Sequence, residues 1–311
     1  MRGKILITGG LGNLGSWISQ RFCELNYDVY ILTRKEKVKL KNLSYTVIEA
    51  DITDLNLLKE KLTINFDYCI HLASFNEFFL EDYPKKALEI NTLGTRNLLE
   101  VLSSIELKKF IYLSTVHVYG VAEGNINELS SLNPQNDYAM THLFAEYYVK
   151  QFASKNSFDY TIFRLTNSYG APKKLNTDKW YLILNDLVKS AFEKKKIILK
   201  SNGKIQKDFI WMGNVINIIE QFISNIKNDN DVYNLSQGKS IELIELAELI
   251  KREYTYRYNF EIKIDINIKD KKEYKTLFID NQKLLKKVSI NLENHLTNEI
   301  NNIFSRLEGT L

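Results

Sequence analysis

Cysteine is nearly absent. Cys23 and Cys69 are the only two in 311 residues, too few and too far apart to build a metal cage, so no metal is expected. Both stand in apolar surroundings and read as packing residues. Proline is almost as scarce, with three in the chain. No Gly/Ser-rich linker, repeat or low-complexity tract divides the sequence, so any second lobe must be woven into the first. Apolar runs long enough to cross a bilayer are lacking too. The amino terminus, Met1-Arg2-Gly3-Lys4, leads into a short Ile5-Leu6-Ile7 run without the length or cleavage site of a secretory signal, which predicts a cytoplasmic protein with no membrane partner. Charge of one sign is also missing. A net charge of +4 is mild for this mass, and the basic clusters Lys194-Lys195-Lys196 and Lys271-Lys272 lack interleaved aromatics. They read as solvated faces, and no nucleic-acid partner is expected.

What is present is regular alternation. β-rich runs at Lys4–Thr8, Asp28–Thr33, Tyr45–Glu49, Asp67–Leu72, Phe110–Ser114 and Tyr160–Leu165 are separated by helical periodicity. The helices are expected from Leu14 through Phe22, at Leu55–Leu62, Pro84–Ser104 and Tyr138–Lys155. This pattern predicts an α/β fold with a Rossmann-type, doubly wound parallel sheet. Beyond Leu165 the alternation loosens. Helices near Asp178–Lys194, Val215–Ile226, Ser240–Arg252 and Leu292–Phe304, with short strands at Ile197–Leu199, Phe209–Met212 and Glu261–Ile266, suggest a smaller mixed α/β carboxy-terminal lobe at the strand ends. Residues 1–165 are expected to form the dinucleotide-binding domain, with 209–235 returning to it. Residues 166–208 and 236–311 are then the substrate lobe, placed where open parallel sheets bind ligands.

The first strand runs into Thr8-Gly9-Gly10-Leu11-Gly12-Asn13-Leu14-Gly15 and then a helix. Glycine at 9, 12 and 15 allows a tight turn, close approach of backbone to a pyrophosphate, and close packing of helix on strand. Gly9, Gly12, Asn13, Leu14 and Gly15 are therefore expected to bind a dinucleotide at the helix amino terminus. At the end of the second strand, where a carboxylate would bind the ribose of NAD, the chain has Thr33-Arg34-Lys35. Arg34 favours NADP(H) over NAD(H), the alternative being a surface arginine beside an NAD site held by backbone contacts. Asp51 and Ile52, after the third strand, are candidates to hold the adenine.

Further landmarks follow in order: His71-Leu72-Ala73, Asn91 in NTLGTRNLLE, LSTVHVYG ending at Gly120, Tyr138-Ala139-Met140-Thr141-His142, FRLTNSYG ending at Gly170, and KDFIWMGNV from Lys207. Together they resemble the extended short-chain dehydrogenase/reductase family, whose members mostly act on nucleotide sugars. The resemblance covers nearly the whole chain. It implies that Thr115 hydrogen-bonds the reacting hydroxyl and that Tyr138 is the catalytic tyrosine. Leu72, Ala73, Asn91, Tyr138 and His142 join the cofactor-binding set, and Asn167 and Lys207 join Thr115 as substrate contacts. Lys271 and Lys272 are further candidates for the diphosphate. The expected partner is a nucleotide-diphosphate sugar, and the helices Pro84–Ser104 and Tyr138–Lys155 resemble those of the family's dimer interface, so a homodimer or higher homo-oligomer is expected. A place in surface polysaccharide synthesis is a further implication of the family alone.

The chain departs from the family pattern at His142, where a lysine would bind the nicotinamide ribose and lower the tyrosine's pKa. An imidazole, with an unperturbed pKa near ~6.5, is mostly neutral at pH 7. Three readings follow: a slow or alkaline-shifted enzyme with a tightly held cofactor; a His142 charged by acidic neighbours or by the cofactor phosphates; or a degenerate site that binds without turnover. After Thr115 the chain has Val116-His117, where the family's dehydratases carry Asp-Glu, which disfavours loss of water. His117 is either an extra acid or base or a structural hydrogen-bonding residue. The leading expectation is a nucleotide-sugar dehydrogenase or ketoreductase moving hydride at a sugar carbon, most plausibly the 4-position. The alternatives are an epimerase working through a transient ketone and a non-catalytic dinucleotide-binding protein.

Overall fold

A computed structural model describes residues 2–34, 40, 42–76, 83–121, 123–173 and 179–310. Its first half alternates strand and helix: β1 (Lys4–Thr8), α1 (Asn13–Glu24), β2 (Asp28–Thr33), β3 (Thr46–Glu49), α2 (Leu55–Lys61) and β4 (Tyr68–His71). Then come α3 (Tyr83–Ala87), a π-helical stretch (Leu88–Gly94), α4 (Thr95–Leu102), β5 (Lys109–Thr115), β6 (Gly124–Ile126), α5 (Asp137–Lys155) and β7 (Asp159–Leu165). The second half holds β8 (Asn167–Tyr169), α6 (Ile183–Lys194), β9 (Lys196–Ile198), β10 (Gln206–Trp211), α7 (Met212–Ser224) and β11 (Asp231–Leu235). It closes with β12 (Ser240–Glu242), α8 (Leu243–Tyr258), β13 (Lys263–Asp265), β14 (Leu277–Ile279), α9 (Gln282–Leu285) and α10 (Leu296–Glu308).

Seven strands form one parallel sheet in the order β11-β7-β5-β4-β1-β2-β3. The order reverses between β1 and β4, and this switch point opens a crevice at the carboxyl ends of the strands. Central strands of such a sheet are covered on both faces and so are apolar at successive positions. Ile5, Leu6 and Ile7 are all fully buried. The pleat sends Ile5 and Ile7 into a core with Ile18, Phe22, Ile218 and Phe222, and Leu6 into another with Leu58, Leu98, Leu99 and Phe110. Cys69 is buried in the second core and Cys23 packs at the edge of the first.

A third core joins α6, α8 and α10 through Leu187, Val188, Leu246, Ile250, Ile300 and Phe304. With the short sheets β12-β10-β8 and β13-β9 it forms the mixed lobe expected from sequence. Several boundaries differ, two of them at the start of a helix. The helix expected from Ser240 begins at Leu243, because Glu242 and Glu245 form a capping box whose backbone entry is extended. The helix expected near Asp178 begins at Ile183, after a 3-10 turn at Lys179–Tyr181.

Candidate active site

The crevice holds a cleft of about 780 Å³, within the usual range for ligand sites. Gly9, Gly12, Asn13, Leu14, Gly15, Thr33, Leu72 and Ala73 line its dinucleotide side. Thr115, His117, Tyr138 and His142 stand in the middle, and Asn167, Tyr181, Asn185, Phe209 and Met212 close it from the lobe side.

The loop geometry explains its glycines. Gly9 has φ +66, and a Cβ on Gly15 would lie 2.1 Å from the Gly9 carbonyl oxygen, so neither position accepts a side chain without rebuilding the turn. Gly12 is the N-cap of α1 and brings no side chain to satisfy its free amides. Asn13, the first residue of the helix, has both side-chain polar atoms buried without a partner. A phosphate-sized anion would satisfy donors of this kind, so the loop fits a dinucleotide.

Beneath the loop, the Thr8 hydroxyl contacts His71 Nδ1 at 2.6 Å and accepts from the Leu72 and Ala73 amides at 3.2 and 3.1 Å. The other His71 nitrogen contacts Thr95 Oγ1 at 2.8 Å. This chain of bonds fixes the end of β1 against the end of β4.

The reacting groups come from β5 and α5. Asn136 caps α5 by accepting from the Ala139 amide at 2.9 Å, which sets Tyr138 in the first turn and His142 one turn later on the same face. Thr115, the last residue of β5, brings its hydroxyl beside the Tyr138 phenol. The neighbouring hydroxyl pulls the phenol's pKa down, as does any donor near a phenolate. Burial wins, and with the nearby phenols of Tyr83 and Tyr181 it pushes Tyr138 up to about 12.

His142 is buried. Its Nδ1 lies 2.7 Å from the Tyr112 hydroxyl, and its Nε2 has no partner. Burial, reinforced by His117, holds its pKa down to about 3. No acidic group is among the causes acting on the ring, and burial favours its neutral form. His117 stands edge-on to Tyr138, 6.1 Å between ring centroids. Burial, followed by the charge of Lys207, lowers its pKa below the ordinary histidine value.

Several other expected site residues lie apart from the cleft lining. Asn91 is buried in the π-helical stretch, where its amide is fully engaged: Oδ1 accepts from the Phe75 amide at 2.6 Å, and Nδ2 donates to Phe75 O and Thr141 Oγ1. It holds the loop after β4 in place and lends nothing to the cleft. Asp51 accepts from the Thr53 amide and hydroxyl, and neither it nor Ile52 lines the cleft. Arg34 is exposed just past β2, and Lys35 lies outside the described residues. Asn167 donates to the Asp208 carbonyl at 2.8 Å while facing the cleft. Lys207 is half-buried on β10, behind the lining. Sequence reasoning missed Tyr83, whose buried hydroxyl is unpartnered, and Tyr181, which donates to Asn76 Oδ1 at 2.7 Å across the cleft mouth. Neither stands in a motif that would have marked it.

A model of the NAD dependent epimerase/dehydratase family matches residues 5–236. The chain belongs to that family. The match runs from β1 to just past β11, so it takes in the glycine loop, Thr115, Tyr138 and His142. Among named relatives, a "Putative UDP-glucose 4-epimerase" of Methanocaldococcus jannaschii is 28% identical over 81% of this chain and 83% of its own. The dTDP-D-glucose 4,6-dehydratase of Dictyostelium discoideum is 29% identical over 79% of this chain, which spans 61% of that longer protein. In fold, the chain is similar to the UDP-glucose 4-epimerase of Thermotoga maritima bound to UDP-glucose, with a TM-score of 0.81 and 22% identity over 98% of this chain and 99% of the other. It is equally similar to MoeE5 bound to UDP-glucuronic acid and NAD, with a TM-score of 0.82 at 17% identity over 99% and 100% of the two chains. The epimerase/dehydratase family is one of NAD-dependent enzymes, and the α/β fold and family resemblance expected from the motifs are borne out.

Proposed function

We propose that this protein is a nucleotide-sugar oxidoreductase that moves a hydride between a sugar carbon, at the 4-position, and a nicotinamide cofactor. The observation that carries the reading is the placement of Thr115 and Tyr138 side by side in the cleft that the glycine loop also lines. A secondary alcohol loses hydride only as its hydroxyl proton is taken, so the base must sit at the carbinol oxygen. Tyr138 receives that proton in the oxidative direction and returns it in the reductive one. The Thr115 hydroxyl donates to the oxygen while it carries developing charge. When bound, the nicotinamide ring takes up or returns the hydride. Neutral His142 contributes a hydrogen bond but no charge, so the phenolate must form against its raised pKa.

Epimerisation at the same carbon uses the same pair, and the M. jannaschii and T. maritima names favour it as the second reading. Loss of water is disfavoured because Val116-His117 stands where the family's dehydratases carry Asp-Glu. A purely binding role leaves the Thr115–Tyr138 pair without a purpose.

The proposal extends to NADP ahead of NAD, on the exposed Arg34 at the end of β2. It also extends to a homodimer. Met140, Phe144 and Tyr147 form one exposed face of α5, 41, 53 and 57% accessible, with Leu88 and Leu93 of the π-helical stretch exposed as well.

The test begins by denaturing the purified protein and identifying any released dinucleotide. The protein is then supplied with NAD or NADP and challenged with UDP-, GDP- and dTDP-sugars. Nicotinamide absorbance reports net redox, and NMR of the sugar reports inversion without it. Failure of every nucleotide sugar to bind removes the proposal.

A further inference from the structure

Three rings stack in a column beside the cleft. Tyr112 lies between His71 and His142, at 5.6 and 5.8 Å between centroids, with interplanar angles of 24 and 25°. All three side chains are buried. The proton positions in this column follow from counting donors.

His71 is determined first. Thr95 Oγ1 lies 2.6 Å from the Asn91 carbonyl oxygen and 2.8 Å from His71 Nε2. A carbonyl can only accept, so the single hydroxyl proton goes to Asn91, and His71 Nε2 must be the N–H donor to Thr95. His71 Nδ1 then accepts from the Thr8 hydroxyl. Both nitrogens are satisfied within the fold.

His142 differs. Its Nδ1 meets the Tyr112 hydroxyl at 2.7 Å, while its Nε2 is buried, unpartnered and part of the cleft wall. Among the described residues, Tyr112 makes no hydrogen bond other than the one to His142. A buried phenol that accepted from Nδ1–H would leave its own proton without an acceptor, which is costly in a dry interior. The phenol therefore donates to Nδ1, and the neutral imidazole carries its proton on Nε2.

We propose that Tyr112 is a positioning residue for this site: its phenol holds His142 as the Nε2–H tautomer, so the chain offers a neutral N–H donor to a ribose hydroxyl of the bound dinucleotide. The opposite tautomer would turn a lone pair toward the same hydroxyl. The ligand in this statement rests on the functional reading above, whereas the tautomer does not. The titratable groups facing His142 are Tyr112 of β5, His71 of β4 behind it, Tyr138 on its own helix and His117 of the turn after β5, and none is a carboxylate. Burial also keeps the ring neutral.

The chain has four histidines, few enough for side-chain nitrogen NMR on ¹⁵N-histidine-labelled protein, with His142 identified by its loss in His142→Gln. The expected wild-type spectrum shows His142 protonated at Nε2 and bare at Nδ1, unchanged from mildly acidic to mildly alkaline pH. Tyr112→Phe should shift His142 toward the Nδ1–H form, leave the His71 pattern intact, and weaken NAD binding by about three- to tenfold, the worth of one neutral hydrogen bond. A wild-type Nδ1–H signal, an unchanged tautomer in Tyr112→Phe, or unchanged NAD affinity in that variant would each overturn the proposal. If Tyr112→Phe loses the His71 pattern and so fails to fold, the wild-type tautomer decides alone. Wild-type protein that binds neither NAD nor NADP overturns the assigned ligand together with the functional reading, while the NMR result separately judges the Tyr112–His142 pair.

Discussion

Tyr138 and His142, one turn apart on α5, meet edge to face with ring centroids 4.5 Å apart. The acid–base group of the site thus borders a neutral ring where the family pattern has an ammonium. With Tyr138 pushed up to about 12 and His142 held down to about 3, only a small fraction of Tyr138 is phenolate at neutral pH. That fraction grows about tenfold per pH unit until the pKa is approached. Oxidation of a nucleotide sugar should accelerate steadily from neutral to alkaline pH, as read from initial rates at saturating cofactor. A lysine at 142 would place a cation beside the phenol and lower its pKa by roughly 1–3 units. His142→Lys should therefore preserve cofactor binding and raise the neutral-pH rate about tenfold or more; an unchanged rate and pH profile would contradict this account.

In the proposed mechanism Thr115 offers a single hydroxyl to the developing oxyanion. Removing one such donor typically costs about 10²–10³ in kcat. Thr115→Val keeps the shape and β-branching of a strand end, so the loss should appear in kcat with little change in KM. Tyr138→Phe removes the proton carrier and should cost about 10²–10⁴. Steady-state kinetics on the two variants would show whether the Thr115–Tyr138 pair belongs to the chemistry.

Much of this site was legible because its parts obey local rules. A strand, a glycine loop and a helix announce a phosphate cradle in one stretch of chain, and Tyr138 and His142 fall on one helical face by spacing alone. The long parallel strands were readable because burial on both faces makes them continuous apolar runs. Short strands such as β6, β8 and β14 carry three residues each and no period. The partnership of Tyr112 with His142 joins residues 30 positions apart through sheet and helix packing, and nothing in either local sequence signals it. Asn91 shows the converse limit: the motif marked the residue, but only the fold revealed that its amide clamps Phe75.

The proposed preference for NADP rests on Arg34. It follows Thr33, which lines the cleft, and it replaces the carboxylate that would repel a 2′-phosphate. NADP should bind at least as tightly as NAD to wild-type protein. Arg34→Ala should weaken NADP by about tenfold, the scale of a charge-assisted hydrogen bond, and leave NAD nearly unchanged. Calorimetric titration of both cofactors checks it; equal losses for the two would assign Arg34 a structural role instead.

Met140, Phe144 and Tyr147 recur on one face of α5 with more apolar area in water than a lone surface helix needs. Light scattering coupled to gel filtration should give a dimer for the wild type. Phe144→Glu buries a charge in any such contact and should shift the protein toward monomer without lowering its melting temperature by more than a few degrees. A wild-type monomer at working concentration would remove the interface.

Arg164 on β7 and Glu146 on α5 form a two-armed ion pair, with Nη2 to Oε2 at 2.7 Å and Nε to Oε1 at 3.1 Å. Their side chains are only 3 and 1% exposed. Ser114, the neighbour of Thr115, donates to the same carboxylate at 2.6 Å, and the remaining guanidinium arm donates to Tyr119, which itself donates to Asn234 on β11. The network therefore ties β5, β7, β11 and α5 together directly behind the reacting groups. Removing one partner strands the other charge in the core, at a cost of about 3–5 kcal/mol, whereas replacing both with apolar side chains avoids that penalty. Glu146→Leu should lower the melting temperature substantially, and Glu146→Leu with Arg164→Met should recover much of the loss in thermal and urea denaturation. Activity should not recover in parallel. Even the refolded double variant has lost the carboxylate that holds Ser114, so the Thr115 hydroxyl is less well aimed and kcat stays depressed while stability returns.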